Sequence, residues 1–213
     1  MTEALRIDVV SDVVCPWCYV GKRQLEEALA RWRERHPGSP QPQVRWLPFQ
    51  LNPGLPAQGM PRGEYLSRKF GHADGGAIYA RVRAAAAEVG LTLEMEAIER
   101  QPNTVRAHAL VAVAAAAGRQ DAVAEELFRA YFVEGADLTD DTVLEAIGTR
   151  AGLDPATARD ALGDEGLLDE VRDADTQARE AGVSGVPFFI FGGKTSLSGA
   201  VGAAALLEAI EAA

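Results

Sequence analysis

The chain has 213 residues, 47% of them hydrophobic and 24% charged, the makeup of a soluble globular protein long enough to bury its own core. A formal net charge of −10 without any Lys/Arg-rich run argues against nucleic acid or an anionic membrane surface as partner. No stretch reaches the ~20 apolar residues of a membrane span, and Met-Thr-Glu-Ala-Leu-Arg has no basic segment leading into an apolar one, so a cytoplasmic protein is expected.

The first element is an apolar run, Leu5 to Val10, read as a strand. It leads into Asp12-Val-Val-Cys15-Pro16-Trp17-Cys18-Tyr-Val-Gly-Lys22, which holds the only two cysteines of the chain. Leu25, Ala28, Leu29 and Trp32 follow at the spacing of one helical face. A strand therefore delivers the cysteines to the first turn of a helix, where Pro16 fits because its fixed φ is helical and no N–H is needed. Unpaired N–H groups and the helix dipole favour a thiolate at Cys15. Cys18 lies one turn further in, so the expected pair is an exposed attacking thiol and a buried resolving thiol.

Other uses of the pair fit less well. A structural zinc site needs about four ligands, and His36, His72 and His108 are scattered without ligand spacing, so no metal is expected. A disulfide across two residues would constrain very little chain. Redox chemistry fits both the motif and its strand-to-helix setting.

The first helix is expected to end near His36, before the loop Pro37–Pro42. Val44 to Phe49 reads as a second strand, which completes a βαβ unit. Asn52 to Arg62 is loop. From Glu64 to about Ala181 the pattern is helical, with no convincing strand. Helices are expected at Ile78–Val89, from Asn103-Thr104 to Gly118, at Ala122–Val133, from Thr139 to Gly152, from Asp154-Pro155, and at Leu167–Arg179. Val186 to Phe191 is an apolar strand, Gly192-Gly193 a two-residue hairpin turn, and Lys194–Ser198 the return strand. A closing helix carries Ala203, Leu206, Leu207 and Ile210 on one face. The fold class is α/β: residues 1–55 and 182–213 form a small mixed sheet with helices on both faces, and 56–181 an inserted helical subdomain.

Pro187 opens a buried strand, a position that tolerates proline only at the first residue. It either begins that strand in trans or holds a cis X-Pro bond at a tight entry. In a sheet of this order it would lie beside the helix end bearing Cys15, and the backbone of Val186 could pair with an extended cysteine-bearing peptide.

The N-terminal Asp-Val-Val-Cys-Pro-Trp-Cys-Tyr-Val-Gly together with Gly-Val-Ser-Gly-Val-Pro-Phe-Phe-Ile near the C-terminus resembles the DsbA family of the thioredoxin superfamily. More narrowly it resembles the FrnE-like branch, related to 2-hydroxychromene-2-carboxylate isomerases and kappa-class glutathione transferases. Pro102 to His108 and Leu197-Ser198-Gly199-Ala200 are similar to further signatures of that branch. The resemblance implies a thioredoxin fold with a helical insertion, and a cis bond before Pro187. It also implies a thiol–disulfide oxidoreductase with Cys15 as nucleophile and Cys18 as resolving thiol, acting on a thiol- or disulfide-bearing protein or small molecule. No resident cofactor is implied, though glutathione is a candidate redox partner, and the chain is expected as a monomer or homodimer. The isomerase and transferase relatives usually carry serine at the position of Cys15, so a glutathione-dependent isomerase or transferase is the second reading and a redox-sensing accessory protein the third.

Pro16, Trp17, Val186 and Pro187 are the expected substrate contacts, with Trp17 alternatively packing within the motif. Asp12 either tunes or relays protons for Cys15 or caps a turn. His108 either faces the site or packs on its alanine-rich helix. Asn103 is most simply an N-cap. Trp46, Phe49, Phe188, Phe189 and Phe191 read as core or groove wall.

Overall fold

The computed structural model describes residues 4–71 and 75–213. His72, weighed above as a metal ligand, and the first three residues lie outside that range. A four-stranded sheet has the order β2-β1-β5-β6, with β1 at Arg6–Ser11, β2 at Gln43–Pro48, β5 at Phe188–Phe191 and β6 at Thr195–Ser198. β1 runs parallel to β2, from Arg6 opposite Gln43 to Ser11 opposite Pro48. It runs antiparallel to β5, from Ile7 opposite Phe191 to Val10 opposite Phe188. β1 is thus interior, and its C-terminal end carries the cysteine motif into the middle of one sheet edge.

The two-residue period of a strand sorts the sheet into two faces. Ile7, Val9, Phe189 and Phe191 share one buried cluster with Val20, Leu25 and Ala28 of α1 (Pro16–Arg35) and Leu206, Leu207 and Ile210 of α9 (Ala203–Ala212). Val10, Leu47, Phe188 and Ile190 meet Phe49, Ala178 and Val183 on the other face. Asp8 is a buried carboxylate on that second face, held by the Arg45 guanidinium at 2.8 and 3.0 Å.

The intervening chain forms α2 (Arg62–Phe70), α3 (Gly76–Glu88), α4 (Val105–Val113), α5 (Gln120–Phe132), α6 (Asp141–Arg150), α7 (Pro155–Gly163) and α8 (Glu165–Glu180). Asp140, Asp154 and Asp164 cap three of these, each accepting a first-turn N–H. Gln120 closes the outer edge of β2. Its amide accepts from the Trp46 N–H at 3.2 Å and donates to the Trp46 carbonyl at 3.3 Å, which pairs backbone groups an edge strand otherwise leaves open.

Three expectations need correction. The helical block does contain strand: β3 (Met60–Pro61) pairs antiparallel with β4 (Arg100–Gln101). Two residues pairing across forty leave no periodicity to read. α4 stops at Val113, short of Gly118, and the chain leaves it through turns at Ala115 and Gly118. The hairpin loop has three residues, because Phe191 pairs with Thr195 and the Lys194 N–H closes on the Phe191 carbonyl at 3.0 Å. Gly192 and Gly193, at φ +58° and +73°, supply the left-handed turn that other residues resist.

Candidate active site

Asp12 follows β1 directly and is fully buried. Its carbonyl accepts the Cys15 N–H at 3.0 Å, which turns the chain into α1. One carboxyl oxygen accepts the Leu51 N–H at 2.7 Å, and the other faces the Val14 N–H at 3.5 Å. The side chain therefore ties the thiol turn to the segment leaving β2.

Cys15 occupies the N-cap position of α1 in an extended conformation, with Pro16 at the first helical position. Its carbonyl accepts from Cys18 and Tyr19 at 3.0 and 3.4 Å, and its thiol donates to the Val186 carbonyl at 3.6 Å. Both cysteines are free thiols. Cys18 is 1% exposed, as the sequence implies for a resolving thiol, but Cys15 is only 5% exposed. The expected open thiol is instead packed within the main apolar cluster, with Trp17 and Val186 against it.

Burial pushes the Cys18 thiol well above its ordinary pKa, and the neighbouring Cys15 adds to the rise; the Ser11 side chain and the Asp12 backbone pull the other way. Ser11, at the end of β1 and 3% exposed, was not read as a site residue. Its one sequence signal is a hydroxyl closing an apolar strand on the face that α1 covers.

The Val186–Pro187 peptide is cis. Pro187 is buried, and its carbonyl accepts the Gly199 N–H at 2.8 Å, joining this segment to the end of β6. Gly21 permits the close approach of α1 here: a Cβ at that position would lie 2.9 Å from the Pro187 ring and 3.2 Å from Phe189. Pro16 and Trp17 are half-buried, and Trp17 lines a cleft of about 270 Å³ with Ala77, Ile78 and Arg81 of α3.

The remaining candidates divide. His108 on α4 is 5% exposed, and its Nε2 lies 3.4 Å from an Asp12 carboxyl oxygen without hydrogen-bond geometry. Among the described residues that nitrogen has no hydrogen-bond partner. Asn103 stands one residue before the N-cap, which is Thr104. Its oxygen accepts the Val105 N–H at 3.0 Å and its amide donates to the Leu55 carbonyl at 2.7 Å. It fastens the loop after β2 to α4, and its hydrogen bonds go to that loop and helix. Trp46, Phe49, Phe189 and Phe191 are buried in the core. Among the described residues no group of three His, Cys, Asp or Glu side chains could hold a metal ion, and no helix is long and apolar enough to cross a membrane.

The family model for a DSBA-like thioredoxin domain matches residues 6–211. The chain is 31% identical to a probable DsbA oxidoreductase from Streptomyces coelicolor, whose crystal structure superposes with a TM-score of 0.85 over 98% of this chain and 89% of that one. It is 28% identical to the Bacillus subtilis protein YwbO over 93% of this chain and 92% of that one. A cytosolic disulfide reductase, DsbM from Pseudomonas aeruginosa with GSH, shares the fold at 20% identity and a TM-score of 0.65, over 91% and 89% of the two chains.

Proposed function

This chain belongs to the DSBA-like thioredoxin domain family, and on that premise we propose that it is a thiol–disulfide oxidoreductase in which Cys15 attacks and Cys18 resolves. The observation that carries the reading is the position of the Cys15 thiol, at a helix N-terminus and 3.6 Å from the Val186 carbonyl.

In the reducing direction the Cys15 thiolate attacks one sulfur of a substrate disulfide and expels the other as a thiolate, leaving a mixed disulfide. Cys18 then loses its proton and attacks the Cys15 sulfur, releasing the second substrate thiolate and closing the Cys15–Cys18 disulfide. Two electrons pass to the substrate. The oxidising direction reverses each step, and the poise of the partner thiols selects between them.

Two features of the site serve this sequence. Loss of the Cys15 proton frees the Val186 carbonyl to accept a backbone N–H from an extended substrate, as in strand addition. Burial keeps Cys18 protonated while Cys15 engages the substrate, so the resolving thiol does not compete as a nucleophile. Trp17 and the backbone before Pro187 flank the bound segment. The partners we propose are thiol- or disulfide-bearing molecules of the cytoplasm, glutathione among them.

The test is an equilibrium titration of the pair against glutathione, followed by tryptophan fluorescence with Trp17 as reporter. One two-electron transition, lost in Cys15→Ala and in Cys18→Ala, is expected. No reversible transition in the native protein overturns the proposal.

A further inference from the structure

Alternate side chains of β1 face α1, and Ile7 and Val9 give that face to the apolar cluster they share with Cys18, Val20 and Leu25. Ser11 is the next residue on the same face, at the end of β1 from which the chain turns into α1. A third apolar side chain would continue the pattern, and a hydroxyl breaks it. The backbone of the serine is committed: Ser11 pairs with Pro48 in the ladder, and its carbonyl accepts the Phe49 N–H at 3.0 Å. Its side chain is not. Ser11 is 3% exposed, and among the described residues its hydroxyl is buried without a hydrogen-bond partner. An unpaired buried donor is destabilising in the resting protein, which points to its use in another state. The neighbouring sulfur supplies that state. Burial raises the Cys18 thiol, and the groups that oppose the rise are the Ser11 side chain and the Asp12 backbone. Ser11 therefore stands against the sulfur that the second step of exchange must deprotonate.

From this placement we infer that Ser11 is a catalytic residue of the resolving step, turning its hydroxyl hydrogen onto the Cys18 sulfur as the thiolate forms. The inference rests on the oxidoreductase reading above and adds a residue to it. A serine hydroxyl has one hydrogen to donate and rotates to aim it. Towards a neutral thiol that donation is weak, whereas towards a thiolate it is charge-assisted and stronger. The interaction grows as the proton leaves, so it favours the reacting state over the resting one. Cys18 thus stays protonated until Cys15 carries a mixed disulfide. The Cys18 sulfur then gives its proton to water and attacks the Cys15 sulfur. The Cys15–Cys18 bond forms, the bond from Cys15 to the substrate sulfur breaks, and the departing thiolate takes up a proton. Two electrons pass to the substrate sulfur, and the serine keeps its own proton throughout. The Asp12 backbone persists in every variant, which leaves Ser11 as the group to change.

The experiment mixes the reduced protein with oxidised glutathione, quenches samples in acid and identifies the species by mass. The native protein should pass to the internal disulfide with little glutathione adduct on the way. Ser11→Ala should form the adduct at Cys15 at the native rate and resolve it about tenfold more slowly, so that the adduct accumulates. Ser11→Thr restores the hydroxyl and should recover most of the rate. The urea midpoint of reduced Ser11→Ala should equal or exceed the native one, because the change removes an unpaired buried hydroxyl. Resolution by Ser11→Ala at the native rate overturns the inference. So does equal slowing of both steps, slowing that comes with a lowered urea midpoint, or a folded Ser11→Thr as slow as the alanine variant. If Ser11→Thr does not fold, Ser11→Ala decides alone. A native protein that forms no internal disulfide overturns the oxidoreductase reading and this inference with it. A native protein that does, beside an equally fast Ser11→Ala, overturns only the role of Ser11.

Discussion

The carboxyl of Asp12 holds the amide of Leu51 at 2.7 Å, so the turn that presents Cys15 is fastened to the chain that leaves the neighbouring strand. Asp12→Ala removes the acceptor from a partly buried N–H and should lower stability by about 1–3 kcal/mol, read as a shift of the urea midpoint. Asp12→Asn keeps an acceptor oxygen and should recover most of that loss. If Asp12→Asn retains stability but loses the thiol chemistry, the residue acts on the reaction and its clamp is secondary.

Cys15 stands at the N-cap of α1 with its thiol on the Val186 carbonyl, whereas the Cys18 thiol lies inside the helix turn and is held protonated, and this difference separates their roles. Cys18→Ala should accumulate a mixed disulfide with glutathione at Cys15, seen by mass as a single adduct. Cys15→Ala should remain unmodified on the same timescale, because Cys18 is 1% exposed and burial holds its thiol protonated. Equal labelling of both variants would remove the assignment.

Stability of the reduced protein should depend on alkaline pH. Cys18 holds its proton more tightly folded than unfolded, so above the free-thiol value of about 8.5 the unfolded chain gives up a proton that the folded chain keeps. Stability is then fully present below that pH and falls as pH rises towards the folded-state value. Cys18→Ala should flatten the decline, measured by urea unfolding at a series of pH values from 7 to 10 (about three units) under reductant.

Gly21 sits where α1 passes Pro187. Alanine gains about 1 kcal/mol of helix propensity over glycine, yet its Cβ would lie 2.9 Å from the Pro187 ring. Overpacking of this kind costs about 1–3 kcal/mol, so Gly21→Ala should be neutral to destabilising and should slow thiol exchange by displacing the segment next to Cys15. A more stable variant with unchanged exchange would show that α1 yields there at no cost.

The parts of the site that were legible in the sequence are those written in adjacent residues. Cys15, Pro16 and Cys18 form one motif on one helix turn, and Pro187 announces itself by opening an apolar strand. The connections between segments left no such trace. Asp12 meets Leu51, Asn103 meets Leu55, and Ser11 stands beside Cys18; each partner is an ordinary residue until the sheet and the insertion bring it into place. The burial of Cys15 was missed for the same reason, since Val186 and the packing around it come from the other end of the chain. The starts of α6 and α7 were readable through Asp140 and Asp154, whereas Asp164, which caps α8, went unread and the pairing of Met60–Pro61 with Arg100–Gln101 was too short to show a pattern.

The Gln120 side chain mimics a neighbouring strand along Trp46 and so ends the sheet on that side. β6 ends it on the other, and its Thr195, Ser196 and Ser198 are exposed. The two margins of the sheet therefore differ: a side chain already occupies the backbone groups at the middle of β2, whereas β6 presents exposed polar side chains along its length.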